Sequence, residues 1–255
     1  MTLWLEDLSS LTSKFSPADV KLLANRQLQK RLDQKYILPM CKMGTLLEVL
    51  IDDFKIVPTA NHGIATYETQ YFDTKGYLFY TSHLRGKRPR YKVRLRRYPD
   101  RNLCMLECKR KNAADLTVKT RVEVPYDTTS LKSHHAFFTE LPCNTQSFET
   151  SLFNTFQRIT LLHKTLEERL TIDFNIGFTI DDKQIHLDTC VIVERKRSPV
   201  STGSPVPHLL RFAQAYPLSI SKYCIGGYHL FNTNKNTLYR TKSRVLRKVL
   251  HDRTI

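Results

Sequence analysis

Tyr91-Lys92-Val93-Arg94-Leu95-Arg96 alternates apolar and cationic side chains over six residues. Successive side chains on a strand point to opposite faces, so Lys92, Arg94 and Arg96 share one face and Tyr91, Val93 and Leu95 the other. The neighbouring runs repeat the division. Along residues 103–111, Cys104, Leu106 and Cys108 lie opposite Met105, Glu107, Lys109 and Lys111. Along residues 117–124, Val118, Val122 and Val124 lie opposite Lys119, Arg121 and Glu123. Arg169, Thr171 and Asp173 then oppose Leu170, Ile172 and Phe174, and Glu194 and Lys196 share a face near the end of a run over residues 185–196.

Each strand alone reads more readily as the solvated face of a sandwich. Four together do not, because a solvated face ordinarily mixes both charge signs with Thr, Ser and Gln, and like charges opposed across a sheet repel. Arg and Lys dominate here. A polyanion lying between them compensates that repulsion through contacts to phosphate oxygens. The isolated acids Glu107 and Glu194 then suit a hard divalent cation bridging phosphates.

Outward from these strands, further alternating runs cover residues 67–72 and 155–162, giving a strand-rich antiparallel body. A short strand over residues 31–38 and a buried helix over 46–51 precede it. Ser16-Pro17-Ala18-Asp19 reads as a helix start leading into Val20, a helix is expected near residues 147–153, and another over 207–215 follows a Pro/Ser/Gly loop at 198–207. Residues 241–253 read as a basic amphipathic packing helix. No internal repeat is visible. The expected division is an N-terminal helical segment (1–30), one main domain (31–240) and the C-terminal helix (241–255).

The 255 residues carry 40 Lys+Arg against 24 Asp+Glu, a net charge of +16, which calls for an anionic partner. No run of about 18 apolar residues exists and the N-terminus lacks the layout of a signal peptide, so the expected location is cytoplasmic. The six cysteines show no paired C-x-x-C spacing and read as reduced core thiols.

In order and spacing, Asp33-Gln34-Lys35-Tyr36, Tyr71-Phe72-Asp73-Thr74, Lys92-Val93-Arg94-Leu95-Arg96-Arg97-Tyr98, Leu106-Glu107-Cys108-Lys109-Arg110-Lys111, Lys119-Thr120-Arg121, Gln157-Arg158-Ile159-Thr160, Glu168-Arg169-Leu170-Thr171-Ile172-Asp173, Val193-Glu194-Arg195-Lys196 and Ser219-Ile220-Ser221-Lys222-Tyr223 resemble the VTC (vacuolar transporter chaperone) catalytic domain. That domain is a triphosphate tunnel metalloenzyme, or CYTH-like protein. The resemblance implies an α+β fold: a closed antiparallel β-barrel tunnel of about eight strands with peripheral helices. It implies that Lys35, Arg94, Arg96, Lys109, Lys119, Arg121, Arg158, Arg169, Lys196 and Lys222 hold phosphates. Lys92, His83, Ser221 and Tyr80 would contact substrate, and Glu194, with Glu107 as second choice, would hold Mn²⁺ or Mg²⁺.

The activity it implies is a polyphosphate polymerase that moves the γ-phosphate of ATP onto a growing polyphosphate or a pyrophosphate primer. A tunnel-type tripolyphosphatase or nucleoside triphosphatase is the alternative within enzymes. A noncatalytic polyanion-binding module is the alternative outside them. Nucleic acid is disfavoured as partner, since Tyr91 lies opposite the Arg94 face rather than among the cations. Two departures stand out: His83 where the polymerases have Arg, and Arg31-Leu32-Asp33-Gln34-Lys35 in place of the E-x-E-x-K opening of other tunnel triphosphatases. With no membrane-spanning or inositol-phosphate-sensing region, the expectation is a stand-alone catalytic domain.

Overall fold

The computed structural model describes residues 2–26, 31–114, 116–138, 141, 147–201 and 203–251. In chain order the elements are α1 (Thr2–Ser13), α2 (Val20–Asn25), β1 (Leu32–Pro39), α3 (Met43–Glu48), β2 (Phe54–Ile56), β3 (Ile64–Thr74), α4 (Leu78–Leu84), β4 (Arg90–Tyr98), β5 (Leu103–Lys111) and β6 (Thr117–Val124). They continue with β7 (Phe148–His163), β8 (Glu168–Ile180), β9 (Lys183–Leu187), β10 (Cys190–Arg197), α5 (Val206–Phe212), β11 (Tyr216–Pro217), α6 (Lys222–Leu230) and α7 (Arg240–His251).

The strands form one antiparallel sheet in the order β11-β1-β10-β8-β7-β3-β4-β5-β6, with β2 on β7 and β9 on β8. This corrects the expected closed barrel of about eight strands. Among the described residues, β6 and β11 end the hydrogen-bonded order without pairing to one another. The reason is local, because β11 is two residues long and its Pro217 has no N–H to extend a ladder. Side chains at the start of α6 span part of the gap instead. Lys35 Nζ on β1 donates to the Ile220 carbonyl at 3.1 Å, and Lys92 Nζ on β4 donates to Ser221 Oγ at 2.9 Å.

The apolar faces of the strands turn outward and are covered, except on β6, where Val118 and Val122 stay exposed. Tyr36, Leu38, Leu170, Ile172, Val191 and Val193 pack under Leu8 of α1, Met43, Leu46 and Leu47 of α3, and Val206 and Leu210 of α5. Val93, Leu95, Leu106 and Val124 pack under Phe79 of α4 with Leu131 and Phe138. A third cluster plugs one end of the inward face, where Tyr223, Cys224 and Ile225 of α6 meet Ile37, Tyr71, Leu152, Ile176 and Ile192, with Leu246 of α7 behind them. With both outer flanks covered, the cationic faces are left to line the inside.

Three local expectations change. The segment near 147–153 is the start of β7, not a helix, and residues 183–197 are two strands, β9 and β10, rather than one run. The N-cap of α2 is Asp19, whose Oδ1 accepts the Leu22 N–H at 2.8 Å, rather than Ser16. Cys104, Cys190 and Cys224 are buried free thiols, whereas Cys41 is exposed. No described helix is long and apolar enough to cross a membrane.

Candidate active site

Cross-strand register brings the inward residues together. Arg94 stands opposite Glu107, which stands opposite Arg121, while Lys92 faces Lys109 and Lys109 faces Lys119. On the other side Lys35 pairs with Glu194, Asp33 and Arg169 each pair with Lys196, and Arg158 pairs with Asp173. A cavity of about 780 Å³ opens among them, lined by Asp33, Lys35, His83, Arg90, Lys92, Lys109, Glu194 and Ser221.

These charges are sheltered. The side chains of Arg94, Arg96, Arg158 and Lys222 retain only 16%, 11%, 14% and 12% of their accessible surface, which rules out the solvated-face reading. The inward acids Glu107, Glu194 and Asp173 are consequently held by cations. Glu107 lies 2.6 Å from Arg94, 2.5 Å from Lys119 and 3.9 Å from Arg96. Burial pushes its carboxyl upward, but those three cations win and hold it far below the usual carboxylate range. Glu194 contacts Lys196 and lies 3.8 Å from Lys35; burial again opposes, and the lysines hold it well below its ordinary value.

Asp173 is the acid the sequence did not single out. It receives Arg158 Nε at 2.5 Å and Nη2 at 2.8 Å, and pairs with Lys222 of α6, tying the wall of the sheet to the plug. Its place on the Arg169–Thr171 face was the available signal. Arg158 is also braced by rings, with its guanidinium carbon 4.9 Å from the Tyr67 centroid and 5.2 Å from that of Phe156.

The cations outnumber these acids, and the surplus leaves marks. Burial, reinforced by neighbouring cations, pulls Lys92 down to about 7 and Lys109 to about 8, and burial with Arg158 nearby brings Lys222 to about 8. The buried Nε atoms of Arg96 and Arg169 have no hydrogen-bond partner among the described residues. Unspent donors in a sheltered basic cleft are what phosphate oxygens would satisfy.

Ser221 is the N-cap of α6, accepting the Cys224 N–H as well as the Lys92 ammonium. His83 lines the cavity, with Nε2 3.0 Å from the Tyr91 carbonyl. A carbonyl only accepts, so Nε2 carries the proton, and burial beside Lys92 and Arg90 keeps the ring neutral. Arg121 lies on the Glu107 face of exposed β6, at the rim. Tyr80 departs from expectation. It is fully buried in the α4–α6 aromatic cluster, with its hydroxyl 2.6 Å from Asn236 Oδ1, and is a core residue rather than a substrate contact.

For a metal, no group of three His, Cys, Asp or Glu side chains is assembled among the described residues. Glu194 and Asp33 are the carboxylates at the cavity wall, and Asp33 is paired with Arg31 at 3.0 Å. That donor set fits Mg²⁺ or Mn²⁺ bound chiefly by water and substrate phosphates with one protein carboxylate, not a cation caged by protein alone.

A family model for the VTC domain matches residues 30–231. Among solved structures, a Bacillus halodurans protein described as a candidate adenylate cyclase superposes with a TM-score of 0.51 at 10% identity, over 79% of this chain and 97% of that one. A Hippeastrum protein described as a candidate adenylyl cyclase with a dominant triphosphatase activity gives 0.47 at 12% identity, over 77% and 94%. At 10% identity the first likeness is one of fold. No curated protein matches the chain by sequence.

Proposed function

The chain belongs to the VTC domain family, and from that premise we propose that it is an ATP-dependent polyphosphate polymerase working in the basic cleft between β1, β10, β8, β7 and β4–β6. The observation that supports this most is the sheltered surplus of cations with unspent donors at Arg96 and Arg169. Such a lining suits phosphoryl transfer, which asks a protein for positioning and charge stabilisation rather than for a side-chain nucleophile.

Arg94, Arg96, Lys109, Lys119, Arg158, Arg169, Lys196 and Lys222 hold the phosphate chain, with Lys35, Lys92 and Ser221 at the α6 end and Arg121 at the rim. A terminal oxygen of the acceptor phosphate attacks the γ-phosphorus in line. The bond from that phosphorus to the β–γ bridging oxygen breaks, and ADP leaves with the electron pair. The acceptor oxygen is already anionic, so no general base is required. Glu194 would hold a divalent cation, which would supply charge neutralisation for the transferred phosphate. Glu107 anchors Arg94, Arg96 and Lys119, a use of its carboxylate that leaves Glu194 the better candidate ligand.

The test is to incubate the protein with ATP and Mn²⁺, with and without pyrophosphate, and resolve the products by gel and phosphorus NMR. Long chains plus ADP are expected. Orthophosphate alone would assign a hydrolase in which water replaces the acceptor, and tight triphosphate binding without turnover would assign a noncatalytic polyanion binder.

The depressed lysines add a pH prediction. Lys92, Lys109 and Lys222 lie below their ordinary 10.5 in the free protein, and a bound polyanion raises them by favouring the ammonium form. Binding therefore takes up protons above about pH 7, and affinity falls as the pH climbs towards 10. Calorimetry of ATP binding at pH 9, in buffers of different ionisation enthalpy, should register uptake of one or more protons. Proton release, or none exchanged, would contradict a lysine-lined phosphate site.

A further inference from the structure

The inward face of β4 ends in aromatic rings that reach back to α6 through Phe156, whose centroid lies 4.1 Å from Lys222 Nζ. Tyr98 follows Lys92 by six residues on the same face of β4, about 20 Å along the strand, with Arg94 and Arg96 at the intervening steps. There a second cavity of about 330 Å³ opens between residues 58–60, before β3, and the rings of Tyr67 and Tyr98. Tyr67 stacks on Phe156 with centroids 5.0 Å apart and planes at 14°, and Tyr98 meets Tyr67 edge-on at 5.1 Å and 62°. The guanidinium carbons of Arg158 and Arg96 lie 4.9 and 5.7 Å from the Tyr67 centroid. A slot with an aromatic wall thus adjoins two phosphate-facing cations. Neither His83 nor Tyr80 is part of it.

We propose that this cavity is the nucleobase subsite of the nucleoside triphosphate donor, with the base stacked on Tyr98 against Pro58 and Ala60, and its phosphates running inward past Arg96 to Arg94. The inference rests on the reading of this chain as a nucleotide-using polymerase. Spacing supports it, since inward residues on β4 recur about every 7 Å, which sets the first phosphate cation one step from the ring. Two of the polar groups at the slot are already engaged: Thr59 Oγ1 donates to the Ile64 carbonyl at 3.0 Å, and Asp100 Oδ2 accepts the Thr66 N–H at 2.8 Å. With an aromatic wall at the slot, stacking is the main contact, and different bases bind with similar strength.

Affinities for ATP and for inorganic tripolyphosphate, measured by calorimetry on wild type, Tyr98→Leu and Tyr98→Phe, test it. Tyr98→Leu is expected to weaken ATP about tenfold while leaving tripolyphosphate within twofold, and Tyr98→Phe to retain wild-type affinity for both. In the unaltered protein, the fluorescence of 2-aminopurine riboside triphosphate should be quenched on binding, as stacking requires. No quenching, or an ATP loss matched by an equal tripolyphosphate loss, overturns the subsite. If tripolyphosphate binds and ATP affinity ignores Tyr98, the base subsite alone fails; if wild type binds neither ligand, the polymerase reading fails with it.

Discussion

Glu194→Gln is expected to lower polymer synthesis on the order of a thousandfold, the worth of several kcal/mol of lost transition-state charge stabilisation, while tripolyphosphate binds as tightly as before or more so. The two effects separate because the carboxylate does two things in the cleft. It offers an oxygen ligand for a substrate-borne cation, and it neutralises Lys35 and Lys196. Gln keeps the shape but ends both roles, leaving the cleft more positive for a polyanion and poorer for the metal. Electron paramagnetic resonance of Mn²⁺ titrated into protein with a non-hydrolysable ATP analogue should show weakened ternary binding in the variant. Robust Mn²⁺-dependent synthesis by Glu194→Gln would reduce Glu194 to a counter-charge and move the metal elsewhere.

The part of this site that was legible in the sequence is the part written in period two. Lys92, Arg94 and Arg96 declare their shared face without any partner strand, and the same holds for Arg169 and Asp173. Which face turns inward was not legible, since that depends on the helices that cover Val93, Leu106 and Ile172 from outside. Nor was α4, which starts without a local cap. Its N-terminal N–H groups at Phe79 and Tyr80 are satisfied by Asp73, 2.9 and 2.8 Å away, from the end of the preceding strand. The start of β7 misread as helix because Phe148 and Leu152 stand four apart. Helix α6 was hidden by Gly226-Gly227, a poor helical pair on propensity. A Cβ at Gly226 would lie 2.5 Å from the Phe178 ring and one at Gly227 2.6 Å from the Tyr80 ring, so close packing of the plug selects what local propensity disfavours. Asp173, Tyr67 and Tyr98 gained their significance from contacts among β3, β4, β7 and α6, which no single run of sequence contains.

Glu107→Gln is expected to destabilise the fold by about 3–5 kcal/mol, against the 5–15 typical of a whole domain. Glu107 is 1% exposed and faces Arg94, Arg96 and Lys119. Removing its charge leaves those cations sheltered, mutually repelling and without their shared counter-ion. The pH dependence follows from the direction of the shift. Its folded carboxyl lies far below the ordinary 4.5, so its contribution is fully present above about pH 4.5 and fades as the pH falls through the folded value. The gap between wild type and Glu107→Gln in urea midpoint should accordingly narrow on acidification from pH 6 to pH 3. Saturating tripolyphosphate should narrow it too at neutral pH, because the anion neutralises the same cations and stabilises the folded state by mass action. A loss under about 1 kcal/mol, the scale of an exposed pair, would mean that water reaches Arg94 and Arg96 freely, and with it would go the argument that a polyanion is needed to relieve this face.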